Sequence, residues 1–234
     1  YITVSLFSIF LFLIFIQKDI RIDLKFTQFP LGNCMLLVFL FSAYAVSIYY
    51  HSFLPPLTTD GLLYHLPFAI HYYKTHSLSL PPIFFSDIAM TYYPFTGDIF
   101  YLFTIFSGQE NLLNFVQMPF VVIGALSVYL LMRKNNFSEN LSILGACIFS
   151  LLRPVFKEST LSFVDLIMAS TFLSALYFFS SEKKENIIFG FLSSGILIGT
   201  KNFAIIYFLF LLPVLFRNFK KEFTGTLSLG TFLF

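Results

Sequence analysis

The chain has 234 residues, 57% hydrophobic and only 11% charged, with a formal net charge of +2 and a mean hydropathy of +0.82. A soluble domain carries about 25% charged residues, so this composition excludes an ordinary soluble globule. The apolar runs are continuous rather than alternating, which argues against a β-barrel and for an all-α polytopic membrane protein.

In chain order the apolar segments are 1–16, 31–53, 112–132, 141–156, 162–180, 187–200, 203–216 and 224–234. They are read as spans of one transmembrane domain covering 1–234, the chain being a fragment of a longer protein because it begins at Tyr1 and ends within "GTLSLGTFLF". Residues 1–16 lack the basic start and small-residue cleavage site of a signal peptide. Cys34 and Cys147 fall in apolar runs and are expected to pack as small apolar side chains. If every segment crosses, ten of the 14 Lys and Arg residues, Arg133, Lys134, Lys183 and Lys184 among them, fall on one side. The positive-inside rule makes that side cytoplasmic. The long stretch 54–111 is then external, together with "KEST" and Lys201. Segments 187–200 and 203–216 are short for a hydrocarbon layer about 30 Å thick. Their connecting turn "GTKN" is therefore expected below the external surface, where irregular backbone is tolerated only against protein or a wet cavity.

The stretch 54–111 is too apolar for a free loop. "FAIHYYKTHSL" and "DIFYLFTIFSG" are expected to form short helices lying in the interface. Tyrosines and all four histidines gather in or beside it, at the depth tyrosine prefers.

Several polar residues are candidates for chemistry. Asp60, in "TTDGLLYHLP", is either a helix N-cap or a base or metal ligand at the membrane surface. Asp165, in "LSFVDLIMAS", is an acid among apolar neighbours. Such residues mark function by default, the alternative being a structural pair with Arg153 or Lys157. Tyr64 and His65 either orient a substrate or serve structure. Lys201 and Arg153 suit a lipid phosphate or an internal ion pair. Tyr93, in "YYPFTGD", either stacks on a sugar or anchors a turn at the interface. His71 and His76 are five apart, a poor helical metal pair beside the four-residue spacing of zinc helices.

The segment "TTDGLLYHLPFAIHYYKTHSL" after a span resembles the GT-C superfamily of polytopic glycosyltransferases, which includes protein mannosyltransferases and the aminoarabinose transferases of lipid A. "YYPFTGDIFYLFTIFSGQENLLNFVQMPFVVIGALSVYLLMRK", "RPVFKESTLSFVDLIMASTFLSALYFF" and "GFLSSGILIGTKNFAIIYFLFLLPVL" resemble later parts of that family in the same order, over residues 40 to 216. The resemblance implies a GT-C-like transmembrane helix bundle with interfacial helices in the first long external loop. It implies transfer of a sugar, with inversion, from a polyprenyl-phosphate donor to an acceptor hydroxyl of a lipid, glycan or protein at the external face of a membrane, a bacterial inner membrane being the expected one. It carries the catalytic base onto Asp60, a second site acid onto Asp165 and the hairpin lysine onto Lys201. Tyr64, His65, Tyr93 and Arg153 join Lys201 as expected substrate contacts. A divalent cation on Asp60 and Asp165 is the only candidate cofactor, and the metal question stays open. No nucleic-acid partner is expected. The acid and lysine that some members place before the proline of the first loop are absent from "TYYPF". A transporter or lipid flippase is the alternative reading, since intramembrane Asp165 and Lys201 also suit a transport path.

Overall fold

The computed structural model describes residues 30–81, 88–181 and 183–230, with side chains not described at 88, 184 and 218–230. The expected span 1–16 and the end of 224–234 lie outside the described residues. Within them the protein is all-α and not a barrel.

Helix α1, Leu31–His51, follows Pro30, whose fixed φ and missing N–H suit a helix entry. Its 21 residues span about 32 Å at 1.5 Å per residue. The chain then turns through Pro55 and Pro56 and becomes helical at residue 59. A π-helical turn, Gly61–His65, leads into α2, Leu66–Thr75. Helix α2 stops at His76, which takes the left-handed conformation at φ 51°. A 3₁₀ turn, Ile88–Tyr92, precedes α3, Thr96–Phe106. The two short helices expected in 54–111 are thus α2 and α3. A second 3₁₀ turn, Glu110–Phe115, feeds α4, Met118–Lys134. Then come α5, Glu139–Leu151, α6, Arg153–Glu158, α7, Asp165–Ser180, α8, Lys184–Ile198, and α9, Ala204–Gly230.

Among the described residues two helical stretches, Leu31–His51 and Glu110–Lys134, are long and apolar enough to cross a membrane, and the other apolar stretches, Ala204–Arg217 of α9 included, are shorter. Two boundaries differ from expectation. Residues 141–156 break at Leu152, where Pro154 starts a separate helix, α6. The polar stretch 217–223 does not break the chain, because α9 continues through Pro213 to Gly230. A run of Lys, Glu and Arg marks a change of polarity, but these residues are good helix formers, so the helix continues through them.

Helix α7 is the hub. It packs on α4, α8 and α9 and is buried on most of its circumference, including Leu166, Ile167, Ala175, Phe178 and Phe179. Small and hydroxylated residues let the backbones approach, as in membrane bundles. Ser170 Oγ donates to the Phe120 carbonyl of α4 at 2.6 Å, and Ser174 meets Ser193 of α8 at 3.2 Å. Helix α1 has no buried residue and is held to α5 by polar contacts, Asn33 to Asn140 at 3.2 Å and Tyr44 to the Ser150 carbonyl at 2.7 Å.

These contacts sort the helix ends into two sets. Asn33 with Asn140, and Lys134 with the Ser180 carbonyl, gather one set of ends. Ser47 with Thr160, Asn114 with the His51 and Leu54 carbonyls, and Gln117 with the Glu158 and Leu161 carbonyls gather the other. Arg133, Lys134 and Lys183 fall at the first set. Helices α2 and α3 fall at the second, joined to α4 and α7 in one apolar cluster that includes Tyr64, Phe68, Tyr101, Phe120 and Ile167.

Candidate functional site

The site begins with the turn at 58–61. Thr58 Oγ1 accepts from the Gly61 N–H at 3.1 Å and donates to the Ser162 carbonyl at 3.0 Å. Thr58, not Asp60, therefore caps this helix. A Cβ on Gly61 would lie 2.9 Å from both Cβ and O of Ser162, so only glycine permits the turn to seat against the segment before α7. That seating brings the start of α2 to the start of α7.

Freed from capping, Asp60 accepts through Oδ2 a hydrogen bond from the Tyr64 hydroxyl at 2.8 Å, an i,i+4 pair on one helical face. The π turn widens the backbone here, a feature frequent at functional sites. Tyr64, His65 and Leu66 are all buried, three in succession, whereas a helix against a single wall would turn one of them outward.

The second contact is between His65 and Asp98. His65 Nδ1 lies 2.6 Å from Asp98 Oδ1, and each side chain is 4% exposed. Asp98 stands in the first turn of α3. That turn is fixed by the Thr96 N–H donating to the Gly199 carbonyl at 2.9 Å, and by Gly97, whose absent Cβ would lie 2.6 Å from Val164 Cγ1. Farther along α3, the Tyr101 hydroxyl donates to the Phe163 carbonyl at 2.6 Å, and the Tyr101 ring stacks on His65 at 6.1 Å. Burial pushes the Asp98 carboxyl up, and the His65 contact pulls it part of the way back.

The third contact is between Lys201 and Asp165. Lys201 Nζ lies 2.6 Å from Asp165 Oδ1, with side chains 18% and 33% exposed. Lys201 sits in the turn between α8 and α9, as the short-arm reasoning expects, and its ammonium is also 5.7 Å from the Phe203 ring centroid. Asp165 opens α7, and the next backbone N–H, that of Leu166, donates to Gln117 Oε1 at 2.9 Å. The partner of Asp165 is thus Lys201 and neither Arg153 nor Lys157.

A cavity of about 210 Å³ lies between α2, α3 and the α8–α9 turn. Tyr64, His65, Tyr93, Pro94, Asp98, Thr200, Lys201, Asn202 and Phe203 line it. Tyr93 meets Tyr64 edge to face at 5.5 Å. Burial, the Asp60 hydrogen bond and the charges of Asp60, Asp165 and Asp98 together hold the Tyr64 phenol well above its usual range. Glu158 is the last residue of α6. Burial and the Asp165 charge push its carboxyl up to about 6, against the pull of Lys201 and Lys157.

Of the expected site residues, Tyr64, His65, Tyr93 and Lys201 line the cavity, and Asp60 and Asp165 each contact a lining residue. Arg153 is exposed at the start of α6 and does not line it. Sequence reasoning missed Asp98, Gln117 and the Thr58 clamp. A polar residue opening an apolar helix, as Asp98 does in "TGDIFYLF", was the available signal. Cys34 and Cys147 are free thiols. Among the described residues no three His, Cys, Asp or Glu side chains come together as a metal site. Asp60 and Asp165 are engaged by the Tyr64 hydroxyl and the Lys201 ammonium.

No family model, curated protein or solved structure matches the chain.

Proposed function

We propose that this protein is a polytopic membrane glycosyltransferase that moves a sugar from a polyprenyl-phosphate donor to an acceptor hydroxyl at the external membrane face. The observation that carries the reading is that Tyr64 and Lys201 line one small cavity between the 54–111 stretch and the α8–α9 turn, Tyr64 bonded to Asp60 and Lys201 to Asp165. The order of the four GT-C-like segments supports it. So does the placement of Arg133, Lys134 and Lys183 at helix ends away from the cavity. In this reading α5, α7, α8 and α9 cross the bilayer beside α1 and α4, while α2 and α3 lie in the interface.

The chemistry follows from the side chains. The donor's isoprenoid tail stays in lipid, and its phosphate reaches Lys201. An ammonium has three donor hydrogens. One serves Asp165, leaving two for phosphate oxygens in charge-assisted contacts. Asp60, with Oδ2 held by Tyr64, takes the acceptor's proton on Oδ1. The acceptor oxygen attacks the anomeric carbon as the bond to the phosphate oxygen breaks, and the lipid phosphate leaves with the electron pair. A general base contributes about 10²–10⁴-fold, and a fixed cation beside the leaving group contributes further. Asp165 holds the Lys201 ammonium in place.

The test is reconstitution. Purified protein in liposomes is supplied with undecaprenyl-phosphoryl hexoses carrying a labelled sugar, together with an acceptor fraction from membranes lacking this protein. Label leaving the lipid and appearing covalently in the acceptor fraction supports the reading. Label that stays on the lipid with every hexose tried, or that only changes leaflet, overturns it in favour of no transfer or of transport.

A further inference from the structure

The Asp60 and Lys201 roles leave His65 and Asp98 without a task. Both side chains are buried, both line the cavity, and they share a 2.6 Å hydrogen bond through His65 Nδ1. The other ring nitrogen, Nε2, is buried with no hydrogen-bond partner among the described residues. An orphaned buried polar atom is costly and is a sign that something else meets it. The ring cannot turn away without breaking the Asp98 contact and its ring contacts with Tyr64, tilted at 4.1 Å, and Tyr101, stacked at 6.1 Å. Asp98 in turn is fixed by the backbone contacts of Thr96 and Gly97.

The state of the shared proton selects the partner. If His65 Nδ1 holds it, Nε2 of the neutral ring is an acceptor, and if Asp98 holds it, Nε2 carries a hydrogen and is a donor. A hydroxyl group satisfies either state because it both donates and accepts. A carboxylate or phosphate satisfies only one, and Lys201 already supplies a cation for an anion. The cavity volume of about 210 Å³ is below the roughly 300–1,000 Å³ of drug-sized pockets and admits one sugar ring. Tyr93 offers an aromatic wall beside it.

We infer that His65, oriented by Asp98, binds a hydroxyl of the sugar ring held in this cavity and makes the site selective for sugars that carry that hydroxyl. This rests on the glycosyltransferase reading. Asp98 is a positioning residue and acts only through the imidazole.

The experiment compares two lipids and two proteins. Wild type and His65→Phe in nanodiscs are titrated with undecaprenyl phosphate and with undecaprenyl-phosphoryl glucose, galactose and mannose. The expected result is that at least one sugar lipid binds wild type more tightly than undecaprenyl phosphate does. His65→Phe loses about tenfold for that lipid, the size of one buried hydrogen bond, with unchanged affinity for undecaprenyl phosphate. His65→Gln, which keeps a donor and an acceptor, retains most of the sugar-dependent gain. Equal losses for both lipids would make His65 structural, and no loss, or no sugar-dependent gain in wild type, would overturn the inference while leaving donor binding intact. If no polyprenyl lipid binds wild type, the glycosyltransferase reading itself fails and this inference with it. Should the Phe variant not fold, the ¹⁵N shift of His65 Nε2 in wild type decides. It moves on adding the sugar lipid and not on adding undecaprenyl phosphate, and an unmoved shift overturns the inference.

Discussion

Replacing Lys201 by Met separates a structural ion pair from a phosphate contact. The Lys201–Asp165 contact is short, 2.6 Å, and partly buried, with the acid one third exposed. Removing the ammonium strands the carboxylate. Stranding a buried charge costs about 3–5 kcal/mol, and an exposed pair is worth about 0–1 kcal/mol. With Asp165 still reaching water, about 1–2 kcal/mol is expected, near 2–4 °C in Tm per kcal/mol for a chain of this length. Adding Asp165→Asn removes the stranded charge and should return most of the lost Tm. Phosphate binding should behave differently. A charge-assisted hydrogen bond is worth about 1.5–3 kcal/mol, so undecaprenyl phosphate affinity should fall about 10–150-fold in Lys201→Met. It should stay low in the double variant. The assay is Tm and lipid affinity on the same nanodisc preparations of wild type, both single variants and the double variant. If the double variant regains wild-type lipid affinity together with its stability, Lys201 serves only Asp165 and the phosphate role is wrong.

Gly97→Ala puts a methyl group 2.6 Å from Val164 Cγ1 and should lower stability by about 1–3 kcal/mol, the usual cost of overpacking; thermal melts should show Val164→Ala recovering part of it. Glu158 titrates at about 6 in the fold against 4.5 for the free group. The folded state then holds the proton more tightly, so this group's contribution to stability falls as pH rises through about 4.5 to 6. Glu158→Gln should therefore raise Tm at pH 8 and make a smaller difference at pH 5; an equal difference at both would remove the buried-carboxyl explanation. Orientation is checked by labelling single cysteines with a membrane-impermeant reagent in a background lacking Cys34 and Cys147. A cysteine at Ser79 should react from outside and one at Asn135 should not, and the reverse pattern would move the cavity to the cytoplasmic face.

Much of the scaffold was legible because it depends on local pattern. The apolar run 31–53 placed α1, and the apolar segments "FAIHYYKTHSL" and "DIFYLFTIFSG" placed α2 and α3. The turn at Lys201 followed from the short arms beside it. The end of α9 was not legible, because the charged residues from Arg217 to Glu222 change polarity while keeping helix propensity. At "TTD" the sequence offered three capping residues in a row. Thr58 takes the cap, because only its hydroxyl reaches both the Gly61 N–H and the Ser162 carbonyl. The remaining site contacts are long-range. His65 meets Asp98 across 33 positions and Lys201 meets Asp165 across 36. No local periodicity encodes such pairs. They depend on the close seating of Gly61 and Gly97 against the segment before α7, which is a property of the packed chain.

The central claim is that Asp60 is the base of a transfer reaction driven from a lipid phosphate. It is tested most directly by the rate at which undecaprenyl phosphate is released from an undecaprenyl-phosphoryl sugar in the presence of acceptor, in wild type and in Asp60→Asn. The substitution keeps the shape and the Tyr64 hydrogen bond, and Thr58 still caps the helix, so Tm and donor affinity should hold. The release rate should fall about 10²–10⁴-fold, the contribution of a general base. Release by Asp60→Asn at the wild-type rate, or no acceptor-dependent release by wild type, would contradict the account.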